Sequence, residues 1–436
     1  MSSFARILDP TFEDMTNPFK CYDSRGEPLE DKLYLPCGID PAKKELGVVF
    51  VHPYPQNNSA LEQRIIRNLS FEDANWLIDT GVALATKFKA TPIYIFEATG
   101  QLWVPLRRYI HHQGYPTATV CALQTNHARK TKIRKSKNDL IDAINVAKVF
   151  KSGESHASRI PHPVVANLRE YCRLHLFLSQ FLASCANRIA GTQFICHPEF
   201  SDHFSKPMLA TAIALMKHQL VIPQNILDCP VEKLSEIIHE ASRSRLGEQL
   251  AQALINSAHT TFALPYATEA LSFSMKVLAE VYEQTKRVTI KALIAKVQEC
   301  LSNLPFEHQL ETIPYFGPIV TGTFFGELGD YRWFKSVDKV VAWFGLDPSV
   351  SQSANQTTEI SHITKRGTKI GRRMMWLAAK NFAYHTEVGK AYFTKLREKG
   401  FSFDAAICKI AAKLVRAAYA MLRDKSSFEM KLVFPH

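Results

Sequence analysis

The stretch from Tyr34 to Phe150 changes its apolar spacing several times, and those changes limit the fold more than any other feature. Tyr34 to Asp40 and Leu46 to His52 are short apolar runs separated by Pro41-Ala42-Lys43-Lys44, the pattern of a hairpin. A third strand is expected near Arg64 to Leu69. Phe71 to Phe88 then places Trp76, Leu77, Val82 and Leu84 at helical spacing. Pro92 to Phe96 reads as a strand, Leu102 to Ile110 as a helix, Thr117 to Leu123 as a strand and Asp139 to Phe150 as an amphipathic helix. A hairpin followed by alternating strands and helices predicts an α/β domain, a mixed sheet covered by helices.

From about Pro161 to Leu304 the spacing becomes almost wholly helical. Leu271, Met275, Leu278 and Tyr282 are four, three and four residues apart, the spacing of a coiled-coil seam. Thr285 and Thr289 interrupt it, and packing inside one helical domain explains the same spacing. The last third opens with Ile313-Pro314-Tyr315-Phe316-Gly317-Pro318. It ends in a helix with Ile407, Ile410, Leu414, Ala417 and Met421 on one face. The expected division is a polar extension over 1–31, an α/β domain over 32–158, a helical region over 159–304 and a mainly α domain over 305–436.

Composition narrows the partners. The chain of 436 residues carries 53 lysines and arginines against 41 acids, a formal charge of +12. That excess suits a polyanion, because each neutralised phosphate releases condensed counterions. An ordinary basic protein has the same balance, so charge alone does not decide. Nine cysteines without a C-x-x-C pair argue against a disulfide framework or a thiolate zinc site. Cys196, His197 and His203 form only a loose cluster. The first thirty residues lack the basic-then-apolar order of a signal peptide, and no apolar run is long enough to span a membrane. A cytoplasmic location is therefore expected, with no membrane partner.

Four carboxylates carry the chemistry. Asp40 ends the first strand and Glu97 ends the Ile93-Tyr94-Ile95-Phe96 strand. Asp139 and Asp142 are three apart on a helix, about 4.5 Å along its axis and nearly on one face. Hard oxygen ligands converging from separate elements are what Mg²⁺ ions need. Two such ions can activate an oxygen nucleophile and stabilise the leaving oxygen of a phosphodiester. Taken singly, each acid is equally a strand end, a cap or a solvated first turn. Before the helix run six basic residues, Arg129, Lys130, Lys132, Arg134, Lys135 and Lys137, a solvated loop or a set of phosphate contacts. Near the C-terminus, Lys365, Arg366, Lys369, Arg372 and Arg373 are candidates for RNA or DNA backbone contacts, or a solvated helix start.

Ile313 to Val320 looks like a helix-hairpin-helix turn, with Tyr315 where the first glycine is usual; a plain interhelical turn reads the same way. Downstream come Gly345-Leu346-Asp347-Pro348, Ser353 and Ile363-Thr364-Lys365-Arg366-Gly367. Together with Gly38-Ile39-Asp40, Glu97-Ala98-Thr99-Gly100 and Lys137-x-Asp139-x-x-Asp142-Ala143, this order resembles the DEDD-type insertion-sequence transposases, the IS-one-ten family, relatives of the Piv DNA invertases. The resemblance covers nearly the whole chain after about residue 34.

The resemblance implies a RuvC-like domain of ribonuclease H fold, with Asp40, Glu97, Asp139 and Asp142 as the metal-binding tetrad. Two Mg²⁺ ions are implied, with Mn²⁺ as a substitute. It further implies a helical or coiled-coil middle and a C-terminal transposase domain with a catalytic serine, which falls on Ser353. Ser349 and Ser351 lie close by, and Ala354 stands where the family has glycine. Element-end and target DNA, a structured bridge RNA and a homo-oligomer (dimer or tetramer) are the implied partners, with action at the nucleoid. Other readings are an invertase without an RNA guide, a hydrolytic RuvC-like nuclease, and a nucleic-acid-binding protein whose site has decayed.

Overall fold

The computed structural model describes residues 33–54, 56–98, 100–122, 125, 138–152, 156–157, 161–263, 265–334, 336–348, 352–353, 356–357 and 363–434. The chain forms two compact units, Met1–Ile160 and Pro161–His436.

In the first unit, β1 (Tyr34–Pro41) and β2 (Glu45–Val51) pair antiparallel, and β3 (Ala60–Arg67) pairs antiparallel with β2. The expected third strand thus begins and ends earlier than its apolar residues suggested. It lies at the sheet edge and is mostly exposed, with Arg64 and Arg67 on it, so apolar spacing marks it poorly. The helix α1 (Phe71–Phe88) follows. The Ser70 hydroxyl accepts from the Asp73 N–H at 3.2 Å, and Lys89 closes the helix in the left-handed region at φ 53°. Asp73 in its first turn also accepts from the Arg67 backbone N–H at 2.8 Å and from its Nε at 2.9 Å, which staples the edge strand to the helix start.

Next come β4 (Thr91–Glu97), α2 (Val104–His112), β5 (Thr117–Val120), α3 (Asp139–Lys151) and the short β6 (His156–Ala157). The sheet order is β3-β2-β1-β4-β5-β6, with β1, β4 and β5 parallel. Five strands ordered 3-2-1-4-5, with the second antiparallel to its neighbours, are the ribonuclease H-like arrangement. Strand pleating divides the side chains. Leu35, Cys37, Ile39, Tyr94 and Phe96 pack with Leu77 and Ile78 of α1 and Ile110 of α2 on one face. Tyr34, Ile93 and Ile95 pack with Val146, Val149 and Phe150 of α3 on the other. At the far end of α3 the Lys151 ammonium donates to the carbonyls of His52, Tyr54 and Asn57 at 3.1, 2.8 and 2.6 Å.

The second unit is helical and has two cores. Its long helix α4 (Pro163–Cys196) contributes Leu168 and Cys172 to one core and Leu182, Cys185 and Ile189 to the other. The outer core is completed by α5 (Ala210–Lys217), α6 (Pro223–Leu227), α7 (Val231–Ser242), α8 (Glu248–Thr260) and α9 (Thr268–Gln284). Met275 and Tyr282 are buried in that core, with Leu271 and Leu278 packed against it. The expected seam is therefore consumed inside the helical unit. Where Thr285 and Thr289 interrupt it, residues Thr285–Ile290 widen into a π-helical turn before α10 (Lys291–Ser302). His197 is fully buried, and its two ring nitrogens contact the Val221 carbonyl (3.1 Å) and Ser257 Oγ (2.8 Å). Both positions are thereby occupied, which leaves the Cys196, His197, His203 cluster structural.

The chain then builds the inner core with α11 (Pro318–Leu328), α12 (Val337–Trp343), α13 (Lys369–His385), α14 (Glu387–Glu398), α15 (Phe403–Asp424) and α16 (Met430–Val433), and between α12 and α13 the strands β7 (Gln352–Ser353) and β8 (Gln356–Thr357) pair antiparallel. Val297 and Leu301 share this core with Phe324, Phe344 and Ile410, so it draws on residues both before and after 304. Tyr315 sits at φ 70°, the conformation glycine would take at that turn.

Candidate functional site

The helix α3 lies against the sheet because two glycines let it. A Cβ at Gly38 would come within 3.0 Å of both the Ala143 carbonyl carbon and the Ala147 nitrogen. A Cβ at Gly47 would come within 2.6 Å of the Asp139 carbonyl carbon. Gly47 pairs directly with Asp40 across β1 and β2, so the backbone of Asp139 rests on the strand next to Asp40. Asn138 caps the helix, its Oδ1 accepting from the Leu140 N–H at 3.0 Å, which fixes where the first turn begins.

Parallel register aligns the other two acids. Ile39 pairs with Phe96, so Asp40 and Glu97 are the next residues along neighbouring strands. Pleating then puts both on the face that α3 covers. Asp142 is 4% exposed and Glu97 8%, whereas Asp139 is exposed and Asp40 half-buried. All four carboxylates thus share one face at the carboxyl end of the parallel strands. They do not share one point. Among the described residues no three His, Cys, Asp or Glu side chains stand close enough together to hold a metal ion. Glu97 Oε2 instead accepts from the buried Thr125 hydroxyl at 2.7 Å. Like charges repel at short range, and a hydroxyl donor is the cheaper neighbour. The donor chemistry remains that of a hard divalent cation, which takes carboxylate oxygens.

Three residues of this region escaped the sequence reading. Gly47 had a signal, since glycine inside an apolar strand marks a close backbone approach. Thr125 had none. Asn145, one turn beyond Asp142 and 2% exposed, looked like an ordinary polar position of an amphipathic helix.

The remaining candidates divide. Arg129, Lys130, Lys132, Arg134, Lys135 and Lys137 lie outside the described residues, as do Ser349, Ser351 and Ala354. Ser353 belongs to β7, where it pairs with Gln356 of β8. Lys365, Arg366, Lys369 and Arg373 are exposed. Arg372 donates from its guanidinium to the Lys365 carbonyl at 3.1 Å, so one donor holds the loop that leads into α13. Behind that loop sits Glu327, 3% exposed and absent from the sequence-based candidates. Its carboxylate accepts from Arg173 Nε at 2.8 Å and Nη2 at 3.2 Å, and from the Thr368 hydroxyl at 2.5 Å. Burial pushes the Glu327 carboxyl up, but the hydrogen bonds from Arg173 and Thr368, with the charge of Arg173 and Arg169, bring it below the usual carboxylate range.

Known proteins align with both units. A family model described as transposase matches residues 37–193, and one described as the transposase IS116/IS110/IS902 family matches residues 307–394. An uncharacterized 43.6 kDa protein of insertion element IS110 from Streptomyces coelicolor is 21% identical over 253 residues, 57% of this chain and 60% of that protein. An uncharacterized 44.8 kDa protein of insertion element IS116 from Streptomyces clavuligerus is 27% identical over 122 residues, 27% of this chain and 30% of that one. The chain therefore spans less than two thirds of the length of either relative. The structure of T. thermophilus RuvC with a Holliday junction substrate aligns at 14% identity and a TM-score of 0.21, covering 28% of this chain and 99% of that one. With both models matched in order, the first across the α/β unit and into the long helix α4 and the second within the helical unit, the chain belongs to the IS110/IS116 family of transposases.

Proposed function

We propose that this protein cuts and rejoins DNA strands as a transposase, with Asp40, Glu97, Asp139 and Asp142 as ligands of two Mg²⁺ ions and Ser353 as the nucleophile. The observation that carries the reading is the common face: Asp40 and Glu97 on adjacent parallel strand ends, under a helix whose first turn supplies Asp139 and Asp142. Bound there, the ions supply Lewis-acid stabilisation of charge on the phosphodiester oxygens; Mn²⁺ has the same chemistry. The protein's own groups do the rest. Thr125 orients Glu97. The packing of Asp139 on Gly47 sets the height of the helix above Asp40.

A serine hydroxyl is a weak nucleophile until its proton is removed. In the proposed step Ser353 Oγ forms a bond to the phosphorus as the bond to the leaving nucleoside oxygen breaks. The hydroxyl proton passes to a base and the leaving oxygen takes up a proton. One phosphoester replaces another, so rejoining needs no further energy source. Element-end and target DNA are the substrates of this reading, and a structured RNA encoded by the element selects them. A homo-oligomer fits two exposed apolar stripes in the helical unit, Leu174, Phe177 and Phe181 on α4 and Phe273, Val277 and Val281 on α9. No helix among the described residues is long and apolar enough to cross a membrane.

The test combines purified protein, RNA transcribed from DNA flanking its gene, Mg²⁺ and labelled donor and target DNA. A covalent protein–DNA adduct with wild type, lost in both Asp142→Ala and Ser353→Ala, is the expected result. Cleavage without adduct that survives Ser353→Ala but not Asp142→Ala means a hydrolytic nuclease. Binding without cleavage by any variant means a decayed site.

A further inference from the structure

Beyond the acid tetrad, the second unit holds a cleft of about 400 Å³ lined by Arg169, Arg173, Glu327, Trp343, Lys369 and the turn at Gly367 and Thr368. Three cations face a single carboxylate there. Glu327 is spent on Arg173 and Thr368, as described above, so it fixes Arg173 and the start of α13 while cancelling only one charge. Arg169 is fixed too. Its Nε donates to the Gly326 carbonyl at 2.6 Å, and its backbone packs so closely on Gly326 that a Cβ there would lie 2.7 Å from the Arg169 Cα. No carboxylate among the described residues forms an ion pair with it. Burial lowers the Arg169 pKa; the charges of Glu327 and Glu170 pull it back up, and that of Arg173 pushes it further down. A half-buried guanidinium beside another guanidinium, with no carboxylate in ion-pair contact among the described residues, favours an incoming anion.

The rest of the cleft says what kind of anion. Lys369, exposed, opens a helix of 17 residues whose first turn carries no acid, so the ammonium and the free N–H groups of that turn add to one potential. Trp343 donates its Nε1 to the Glu327 carbonyl at 2.8 Å, which anchors the ring edge while 44% of the residue stays exposed. The Thr368 N–H donates to the Trp343 carbonyl at 2.9 Å, and a side chain at Gly367 would strike that same carbonyl group. Fixed cations beside one anchored, open aromatic ring match a sugar-phosphate strand, whose phosphate takes the charges while a sugar or base lies on the ring.

We propose that this cleft seats a backbone phosphate of a nucleic-acid strand, with Arg169 and Lys369 as the contacts and Trp343 as the stacking surface. Glu327 and Arg173 are positioning residues. The proposal rests on the reading of the chain as one that acts on nucleic acid, but it is separable from the cutting chemistry because it is read by binding.

The experiment measures anisotropy of a labelled single-stranded DNA and an RNA of the same sequence with the full-length chain, across a salt series. Wild type is compared with Lys369→Gln, Arg169→Gln, Trp343→Leu and a control at the exposed Lys390, Lys390→Gln. Lys369 is exposed, so its variant folds even if Arg169→Gln does not. Loss of one phosphate contact lowers the slope of log affinity against log salt by about 0.7 on a single strand. That drop is expected in Lys369→Gln and Arg169→Gln but not in Lys390→Gln, with Trp343→Leu weakening binding at unchanged slope. A drop with only one of the two strands identifies DNA or RNA as the source. Slopes equal to wild type for both strands, or an equal drop in Lys390→Gln, overturn the cleft. If no variant or wild type cuts DNA and the slope still drops, the cleft stands and the transposase reading falls.

Discussion

Substituting Gly47 by alanine tests whether the close approach of α3 positions the acids. The backbone at this site is ordinary strand, so alanine adds no dihedral strain and shortens the list of unfolded conformations, a gain of about 0.4–1 kcal/mol. The new methyl opposes this. It would stand 2.6 Å from the Asp139 carbonyl carbon, where ordinary contact begins near 3.4 Å. The obstacle is backbone in the first turn of a helix, so the helix itself must retreat by about 0.8 Å, and overpacking of this kind costs about 1–3 kcal/mol. The net loss of stability is about 1–2 kcal/mol, enough to lower Tm by several degrees without unfolding the domain. Activity should suffer more, because a displacement near 1 Å of catalytic groups costs about 10²-fold. The assay is metal-dependent nicking of a supercoiled plasmid carrying the element end, at a temperature well below Tm. Gly81→Ala is the control. Its methyl would strike the Tyr94 hydroxyl and lie 3.2 Å from Phe50 Cε1, on the opposite face of the same sheet. It should lose similar stability and keep its activity. If Gly47→Ala nicks as well as Gly81→Ala, the glycine contact does not set the site.

Two further substitutions probe single groups. Thr125→Val removes the hydroxyl that donates to Glu97 at 2.7 Å; the midpoint of a Mg²⁺ titration of nicking should rise about 10–100-fold, the usual cost of losing a group that orients a ligand. Asp73→Ala removes the carboxylate that joins β3 to the first turn of α1 and should cost about 1 kcal/mol by thermal unfolding at neutral pH. The hydrogen bond from Arg67, reinforced by its charge, holds the Asp73 carboxyl below the usual carboxylate range. A depressed folded pKa means that this stabilisation is complete above the unfolded value near 3.9 and fades as pH falls from there toward the folded value. The wild type and Asp73→Ala should therefore converge in Tm below about pH 4; a constant gap would refute the linkage.

Much of the first unit was legible because its strands and helices carry one-sided apolar spacing. The hairpin, α1, β4 and α3 fall where the sequence puts them within a residue or two. The edge strand β3 was misplaced because an exposed edge has no buried face to impose alternation. The expected strand from Thr117 to Leu123 stops at Val120, and Ala122 and Thr125 are already helical. Three short apolar residues do not say whether the chain goes on extended or turns. In the helical unit the seam of Leu271, Met275, Leu278 and Tyr282 was correctly spaced, but spacing alone does not say whose helix it faces. It faces its own unit.

The acids and the cleft teach opposite lessons about reading function from sequence. Asp40, Glu97, Asp139 and Asp142 stand at ends of regular elements, where each position follows from strand and helix spacing, so their common face could be anticipated. What sets their distance is not visible in any carboxylate. It is two glycines on the strand side, and the informative one, Gly47, sits unremarked inside an apolar run. The cleft is the reverse case. Lys369 stood out among the basic residues around Gly367, but Arg169, Arg173, Glu327 and Trp343 are scattered along the chain without forming a local pattern, and an isolated Glu327 near the end of an apolar helix reads as a solvated terminus. Only burial to 3% exposure reveals that its charge must be answered. Once Arg173 answers it, Arg169 is left as the surplus cation. A buried acid whose partners outnumber it is thus a pointer to an anion site that no motif announces.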